Sequence, residues 1–166
     1  MTGSLASTIL GANPSTKDAM QIEPLVEKDF AAWKPLWEAY LAFYKTELPE
    51  DATKLAFLRL IDPAEPMGGF IARNEAGAAQ GVAHWIDHRS CWTAGNYCYL
   101  QDLFVASEIR GQGVGAGLIE AVSAAARQRA CSRVYWITHE TNVKAQGLYN
   151  KLAERSGFIQ YVKKLD

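Results

Sequence analysis

The sequence predicts an α/β fold, α+β in arrangement, with a mixed and mostly antiparallel twisted sheet flanked by helices. Two patterns carry this reading. Between residues 69 and 105, three short apolar runs follow one another, the grammar of an antiparallel meander. Before and after them, apolar residues recur at spacings of three and four, the period of amphipathic helices. With 166 residues and 49% hydrophobic content, the chain has the length of one domain and enough apolar mass for a core.

The elements follow in order. Residues 1–18 are rich in Gly, Ala, Ser and Thr, lack apolar periodicity and read as a flexible N-terminal arm, leaving 19–166 as a single domain. A first strand is expected over Met20–Val26. Phe30, Trp33, Leu36, Trp37, Tyr40, Leu41 and Tyr44 then mark a helix, with Asp29 as its N-cap and Pro35 as a kink or restart. A second helix is expected over Ala52–Leu60, with Leu55, Leu58 and Ile61 inward, ended by Pro63 and Pro66. The meander strands fall at Gly69–Arg73, Gln80–Asp87 and Tyr97–Val105. A glycine-rich loop leads into a helix from Gly113 to Arg129. A buried strand over Arg133–Thr138, a helix over Val143–Arg155, a left-handed Gly157 and a last strand over Phe158–Lys163 complete the order.

Composition excludes several classes. A formal net charge of -1 argues against a nucleic-acid binder with a domain-wide basic footprint. No apolar run approaches the eighteen or so residues of a membrane span, so no membrane partner is expected. Cys91, Cys98 and Cys131 are an odd set without metal-type pairing, which fits free thiols in a reducing cytoplasm. His84, His88 and Cys91 lack a fourth ligand at useful spacing; the two histidines read as exposed strand residues, and no metal is expected. The near-neutral total hides a split. Residues 1–96 carry 8 basic against 12 acidic side chains, and residues 97–166 carry 9 against 6.

The most informative segment is Arg110-Gly111-Gln112-Gly113-Val114-Gly115-Ala116-Gly117. A strand feeds it and a helix leaves it. Unobstructed backbone N–H groups at such a helix start make an anion site, and Arg110 adds positive charge. A Walker loop would need Gly-Lys-Ser/Thr at its end, which is absent. Gly111-x-Gly113-x-x-Ala116 formally matches a dinucleotide fingerprint, with Glu140 after the next strand. Too many residues separate the strand from the first glycine for that motif. A tight turn without ligand is the bland alternative.

Arg110-x-x-Gly113-x-Gly115 resembles the acetyl-coenzyme A motif of the GNAT acetyltransferase superfamily. Tyr99-Leu100-Gln101-Asp102-Leu103-Phe104-Val105 resembles the strand that precedes it there. Val134 to Thr138, Asn142, Ala145, Leu148-Tyr149 and Gly157-Phe158 resemble its closing segment. The likeness covers Tyr97 to about Tyr161 and is nearest to the yeast-type histone and D-amino-acid acetyltransferase branch, with similarity to spermidine/spermine acetyltransferases. Residues 20–96 match only in element order.

The resemblance implies a GNAT-like sheet splayed at the coenzyme site and an enzyme that moves an acetyl group from acetyl-CoA to a primary amine. The amine could belong to a small amine, an amino acid, a polyamine or a protein lysine. It implies that the backbone from Gly111 through Gln112, Gly113, Val114 and Gly115 to Ala116 meets the pyrophosphate, with Arg110 at its start. It further implies that Leu103, Phe104 and Val105 pair with the pantetheine arm, and that Asn142 hydrogen-bonds it while also suiting a helix N-cap. Tyr149 falls where the superfamily places the acid that protonates the leaving thiolate; in any other helix it would read as a core aromatic. The base is open. Gln101 stands where polyamine-acetylating relatives have a glutamate, and it takes up no proton usefully. Asp102 faces away unless a bulge intervenes. Asp102 through water, His139, Glu140 or an amine arriving neutral all remain available, with Gln101 orienting substrate. Direct attack on the thioester is favoured over a covalent cysteine intermediate. The aromatic residues Trp33, Trp37, Tyr40, Phe43 and Tyr44 read mainly as core, with a share in an acceptor wall. A homodimer through the last strand fits the same branch. The competing function is a coenzyme A-binding module that has lost transfer activity.

Overall fold

The computed structural model describes residues 20–165, so the expected arm over 1–18 lies outside the described residues. Five strands form one sheet: β1 (Gln21–Pro24), β2 (Met67–Arg73), β3 (Ala79–His88), β4 (Tyr97–Val105) and β5 (Arg133–Tyr135). They lie in sequence order, antiparallel except for the β4–β5 pair, which is parallel. Two helices, α1 (Phe30–Phe43) and α2 (Glu50–Ile61), precede β2. A third, α3 (Val114–Gln128), joins β4 to β5, and α4 (Val143–Leu152) follows.

The sheet has an apolar layer on each face. Phe70, Ala72, Ala83, Cys98 and Leu100 pack with Val114, Leu118, Ile119, Val122 and Ala126 of α3. Ile71, Val82 and Phe104 pack on the other face with Trp33, Leu36 and Trp37 of α1 and Phe57 and Leu60 of α2. The neighbours Phe70, Ile71 and Ala72 alternate between layers as a pleated strand requires.

The chain departs from its sequence pattern in several places. Pro35 does not restart α1, which runs continuously from Phe30 to Phe43. An interior proline costs a helix about 3 kcal/mol. Each large buried side chain returns about 1.5–3 kcal/mol, and α1 buries Trp33, Leu36 and Trp37 across that turn. Asp29 does not cap α1. It is buried, accepts from the Val26 amide at 3.0 Å and pairs with Arg73 at 2.8 Å, tying the turn before α1 to the end of β2. In α2 the inward face is Thr53, Phe57 and Leu60, whereas Leu55 and Leu58 are exposed. Phe57 has the larger apolar surface and turns the helix towards itself.

The C-terminal strand expected over Phe158–Lys163 does not form; α4 ends at Leu152, and no helix or strand follows among the described residues. Gly157 does adopt φ +80, but five residues past the helix rather than at its end. The side chains of Phe158, Ile159, Tyr161 and Val162 are at least 75% exposed. Their pattern suits a strand, but a strand also needs a neighbour for its backbone, and the described chain offers none there.

Candidate active site

The site begins at an irregularity in β4. Opposite β3, His84 pairs with Asp102 but Trp85 pairs with Leu100, so Gln101 is the extra residue of a bulge. Before it, Cys98 and Leu100 face α3. After it, Phe104 faces α1 while Leu103 and Val105 pack on the α3 side. One added residue therefore turns Asp102 and Phe104 to the α1 face and leaves Gln101 exposed. The bulge is the condition under which strand alternation allows Asp102 to serve the site.

The sheet also opens here. β5 follows β4 for only three pairs, ending at Tyr99 with Tyr135. That is why the strand expected to reach Thr138 stops at Tyr135. Beyond that pair β4 and the chain after β5 diverge. The opening is lined by Tyr40 and Tyr44 of α1, Leu100, Gln101 and Leu103 of β4, Trp136, Ile137 and Thr138, and Tyr149 of α4. The released edge of β4 is a row of backbone donors and acceptors suited to an added strand.

Tyr149 reaches the opening from α4, with its ring edge-on to Trp136 at 5.4 Å. Burial raises its phenol above the ordinary 10.0, aided by nearby Tyr44, so it stays protonated through the neutral range. Asn142 is the N-cap of α4: its Oδ1 accepts from the Ala145 amide and its Nδ2 donates to Thr138 at 3.2 Å. The cap reading of Asn142 is thus met.

Asp102 is buried on the α1 face. His84 Nδ1 lies 3.0 Å from its Oδ2, and His84 Nε2 accepts from Trp33 at 2.8 Å. His84 is 2% exposed, which corrects its reading as a surface strand histidine. The available signal was parity, since Val82 and His84 must share one face of β3. Burial first, and then the facing Asp102 carboxylate, push the Tyr40 phenol far up. Tyr99 is shifted the same way by the same two causes, burial first. Tyr40 therefore links the buried acid to the opening. Sequence reasoning reads Tyr40 and Trp33 alike as mainly core with a share in an acceptor wall, and gives neither a link to Asp102.

At the other end lies the glycine loop. Gly111 and Gly113 have φ +89 and +90, a left-handed conformation, and a Cβ at either would meet nothing within 4 Å. Among the described residues, the six amides from Gly111 to Ala116 have no hydrogen-bond acceptor; Gly117 is the first to bond, to Gly113. They form an open row of donors at the start of α3, the chemistry a phosphate group needs. Gly115 and Gly117 have packing reasons instead. A Cβ there would lie 3.2 Å from Leu148 and 2.6 Å from Met20 respectively. Arg110 turns back from the loop: its Nε donates to the Val105 carbonyl, and its guanidinium lies about 6 Å from the Phe43 and Phe104 rings.

Other candidates sit elsewhere. His139 and Glu140 are exposed and do not line the opening. Burial first, and then the Asp87 carboxylate, push the Cys98 thiol up to about 12, leaving it a poor nucleophile. Among the described residues no group of three or more His, Cys, Asp or Glu side chains could hold a metal. No described helix is long and apolar enough to cross a membrane.

Known proteins resemble this chain in sequence and in fold. The family model described as acetyltransferase (GNAT) family matches residues 32–153. The D-amino-acid N-acetyltransferase HPA3 of Saccharomyces cerevisiae is 36% identical over 145 residues, covering 87% of this chain and 90% of that protein. The thialysine N-epsilon-acetyltransferase of Sus scrofa is 34% identical over 93 residues, 56% of this chain and 49% of that protein. Among solved structures, the aminoglycoside acetyltransferase AAC(6')-Iy in complex with a bisubstrate analog superimposes with a TM-score of 0.77 at 21% identity, covering 89% of this chain and 99% of its own. A ribosomal-protein-alanine N-acetyltransferase from Brucella melitensis gives 0.74 at 20% identity, covering 89% and 100%. The structures share the fold, while the family match and the yeast relative extend over most of the sequence: the chain belongs to the acetyltransferase (GNAT) family and is an N-acetyltransferase.

Proposed function

We propose that the enzyme moves the acetyl group of acetyl-CoA by direct attack onto the α-amino group of a small amino acid or a similar primary amine. One observation carries this reading: β4 leaves β5 beyond Tyr99, and Tyr149 faces the gap. The acceptor class draws on the yeast relative, whose name states D-amino acids. The narrow opening between Tyr40, Tyr44 and Gln101 suits a small amine better than a folded protein segment.

The chain's residues divide the work. The amides of Gly111, Gln112, Gly113, Val114, Gly115 and Ala116 hold the pyrophosphate, and the positive charge of Arg110 stands at the loop's start. The backbone of Leu103, Phe104 and Val105 pairs with the pantetheine arm. An amide near Leu103 donates to the carbonyl oxygen as charge develops there. Asn142 supports the same arm. The acceptor nitrogen forms a bond to the thioester carbon as the carbon–sulfur bond breaks. Tyr149 gives its proton to the departing sulfur and is restored by solvent. Asp102 takes the proton that the ammonium must lose before it attacks, through a water beside Tyr40; the nitrogen sheds its second proton to solvent as the amide forms, and Gln101 orients the acceptor.

A thiol-release assay with free D- and L-amino acids, polyamines and a lysine peptide tests this. The expected result is turnover, with the highest kcat/KM on free amino acids. A preference for polyamines or the peptide overturns the acceptor assignment. Coenzyme binding without turnover on any amine leaves a binding module.

The working assembly is a homodimer in the cytoplasm. Three free cysteines support the compartment. The exposed apolar side chains of Phe158, Ile159, Tyr161 and Val162 support the dimer. So does a groove of about 310 Å³ between α3 and β5, lined in part by Ile119, Ala126, Val134, Trp136 and Leu152, which a second copy's C-terminal segment would fill. Light scattering should give twice the chain mass, and a double Phe158→Asp, Val162→Asp variant should give the chain mass. A wild-type monomer refutes the dimer.

A further inference from the structure

Three aspartates are buried among the described residues: Asp29, Asp87 and Asp102. Two of them have a guanidinium. Arg73 pairs with Asp29 at 2.8 Å, and Arg129 pairs with Asp87 at 2.7 Å. Such pairs satisfy a buried carboxylate and also hold it inert, because the charge partner opposes protonation. Asp102 receives a histidine instead.

The state of that histidine follows from its other neighbour. An indole N–H donates and accepts nothing. Trp33 Nε1 lies 2.8 Å from His84 Nε2, so Nε2 presents its lone pair. The imidazole proton then sits on Nδ1 and points at Asp102 Oδ2, 3.0 Å away. The imidazole is neutral and held in one tautomer. Trp33 and Trp37 also pack against it, with centroids 5.8 and 5.4 Å away. Asp102 is thus hydrogen-bonded by a group without positive charge. The other titratable groups facing it are the phenols of Tyr40 on α1 and Tyr99 on β4.

We propose that Trp33 and His84 are positioning residues for acetyl transfer: they tie Oδ2 of Asp102 to the fold with a neutral donor and leave its other oxygen to receive the acceptor's proton. The inference rests on the reading of Asp102 as that proton's destination. The balance is simple. The acceptor nitrogen loses two protons in becoming an amide: Asp102 gains the first, becomes neutral and is deprotonated by solvent before the next turnover, and the second passes to solvent, which replaces the proton that Tyr149 gives to sulfur. A cationic partner in place of His84 would make the first transfer harder.

Four variants and one spectrum test this. His84→Leu removes the donor and keeps an apolar filling. His84→Asn returns an amide donor near the position of Nδ1. Trp33→Phe keeps a ring but frees Nε2. Asp102→Asn keeps an oxygen for His84 but removes the carboxylate that takes the proton. His84→Leu is expected to lower kcat about thirtyfold, within the range of general-base effects, with coenzyme affinity within about twofold. His84→Asn should recover most of that loss. Trp33→Phe should lower kcat, because the freed imidazole is no longer held with Nδ1–H towards Asp102. Nitrogen-15 shifts of the wild-type imidazole should report Nδ1–H from pH 6 to 8, and those of Trp33→Phe a mixture. A slow Asp102→Asn beside a His84→Leu at wild-type rate overturns the positioning role alone. An Asp102→Asn at wild-type rate overturns the base assignment and this inference with it. If His84→Leu does not fold, an Nε2–H tautomer or an imidazolium in the wild-type spectrum at pH 7 still refutes the proposal.

Discussion

Tyr149→Phe is expected to lower kcat about a hundredfold while the coenzyme dissociation constant changes by less than about twofold. A positioned proton donor contributes about 10²–10⁴ to a rate. The lower end applies because solvent can protonate a thiolate slowly. Phenylalanine keeps the edge-on contact with Trp136, now 5.4 Å between centroids, so the local packing survives. The pH profile sharpens the test. Burial raises the Tyr149 phenol above 10.0, so the donating form persists as pH rises through the neutral range. A fall in wild-type rate below pH 9 therefore belongs to another group and should remain in Tyr149→Phe. Stopped-flow thiol release and equilibrium titration of the coenzyme separate the two effects. Equal losses in kcat and affinity would make Tyr149 a packing residue. An unchanged kcat would remove it from the mechanism.

Gly113→Asp is expected to weaken coenzyme binding about fiftyfold. Two terms act together. Position 113 has φ +90, which an L-residue adopts at a cost of about 1 kcal/mol. The added carboxylate also stands at the start of α3, where the free amides await an anion. Two like charges at about 4 Å repel by several kcal/mol at the effective dielectric of a protein surface. Solvent and relaxation reduce this, and a remaining 2–3 kcal/mol corresponds to roughly thirty- to a hundred-and-fiftyfold. Gly113→Asn isolates the terms, because asparagine tolerates the left-handed region and carries no charge. It should stay within about fivefold of wild type. The Asp variant should also recover part of its affinity in high salt, as screening shortens the repulsion. Equal losses in Asp and Asn would mean that backbone strain alone matters. No loss in either would move the pyrophosphate away from this loop.

The legible parts of the fold are those written in local pattern. The Tyr97–Val105 strand appears with the bounds expected, and the α3 helix differs by one residue at each end. Alternation and helical period are properties of adjacent residues, so one sequence suffices to read them. The glycine loop was legible for the same reason. What escaped depends on partners distant in sequence. Asp29 resembles a cap until Arg73, 44 residues on, draws its carboxylate across the sheet. His84 resembles a surface histidine until Trp33 and Asp102 close around it from 51 and 18 residues away. The Phe158–Lys163 segment has the composition of a strand without the neighbour that would make it one. The candidate site lies between these cases. Its glycine loop and Tyr149 are local signals, whereas the setting of Asp102 rests on a register shift that only the pairing of β3 with β4 reveals.

That register shift makes β4 a counting device. On either side of Gln101 the strand keeps a single alternation: Cys98, Leu100, Leu103 and Val105 serve the α3 layer, and Asp102 and Phe104 serve the α1 layer. Gln101 stands outside that count, opposite no residue of β3. Its removal would leave every neighbour on its own side, with Asp102 still facing His84 and Leu100 still facing Trp85. An insertion or deletion elsewhere in the strand would exchange the layers of all that follows. β4 is therefore closed in length where it packs and open in length only where it faces the cleft.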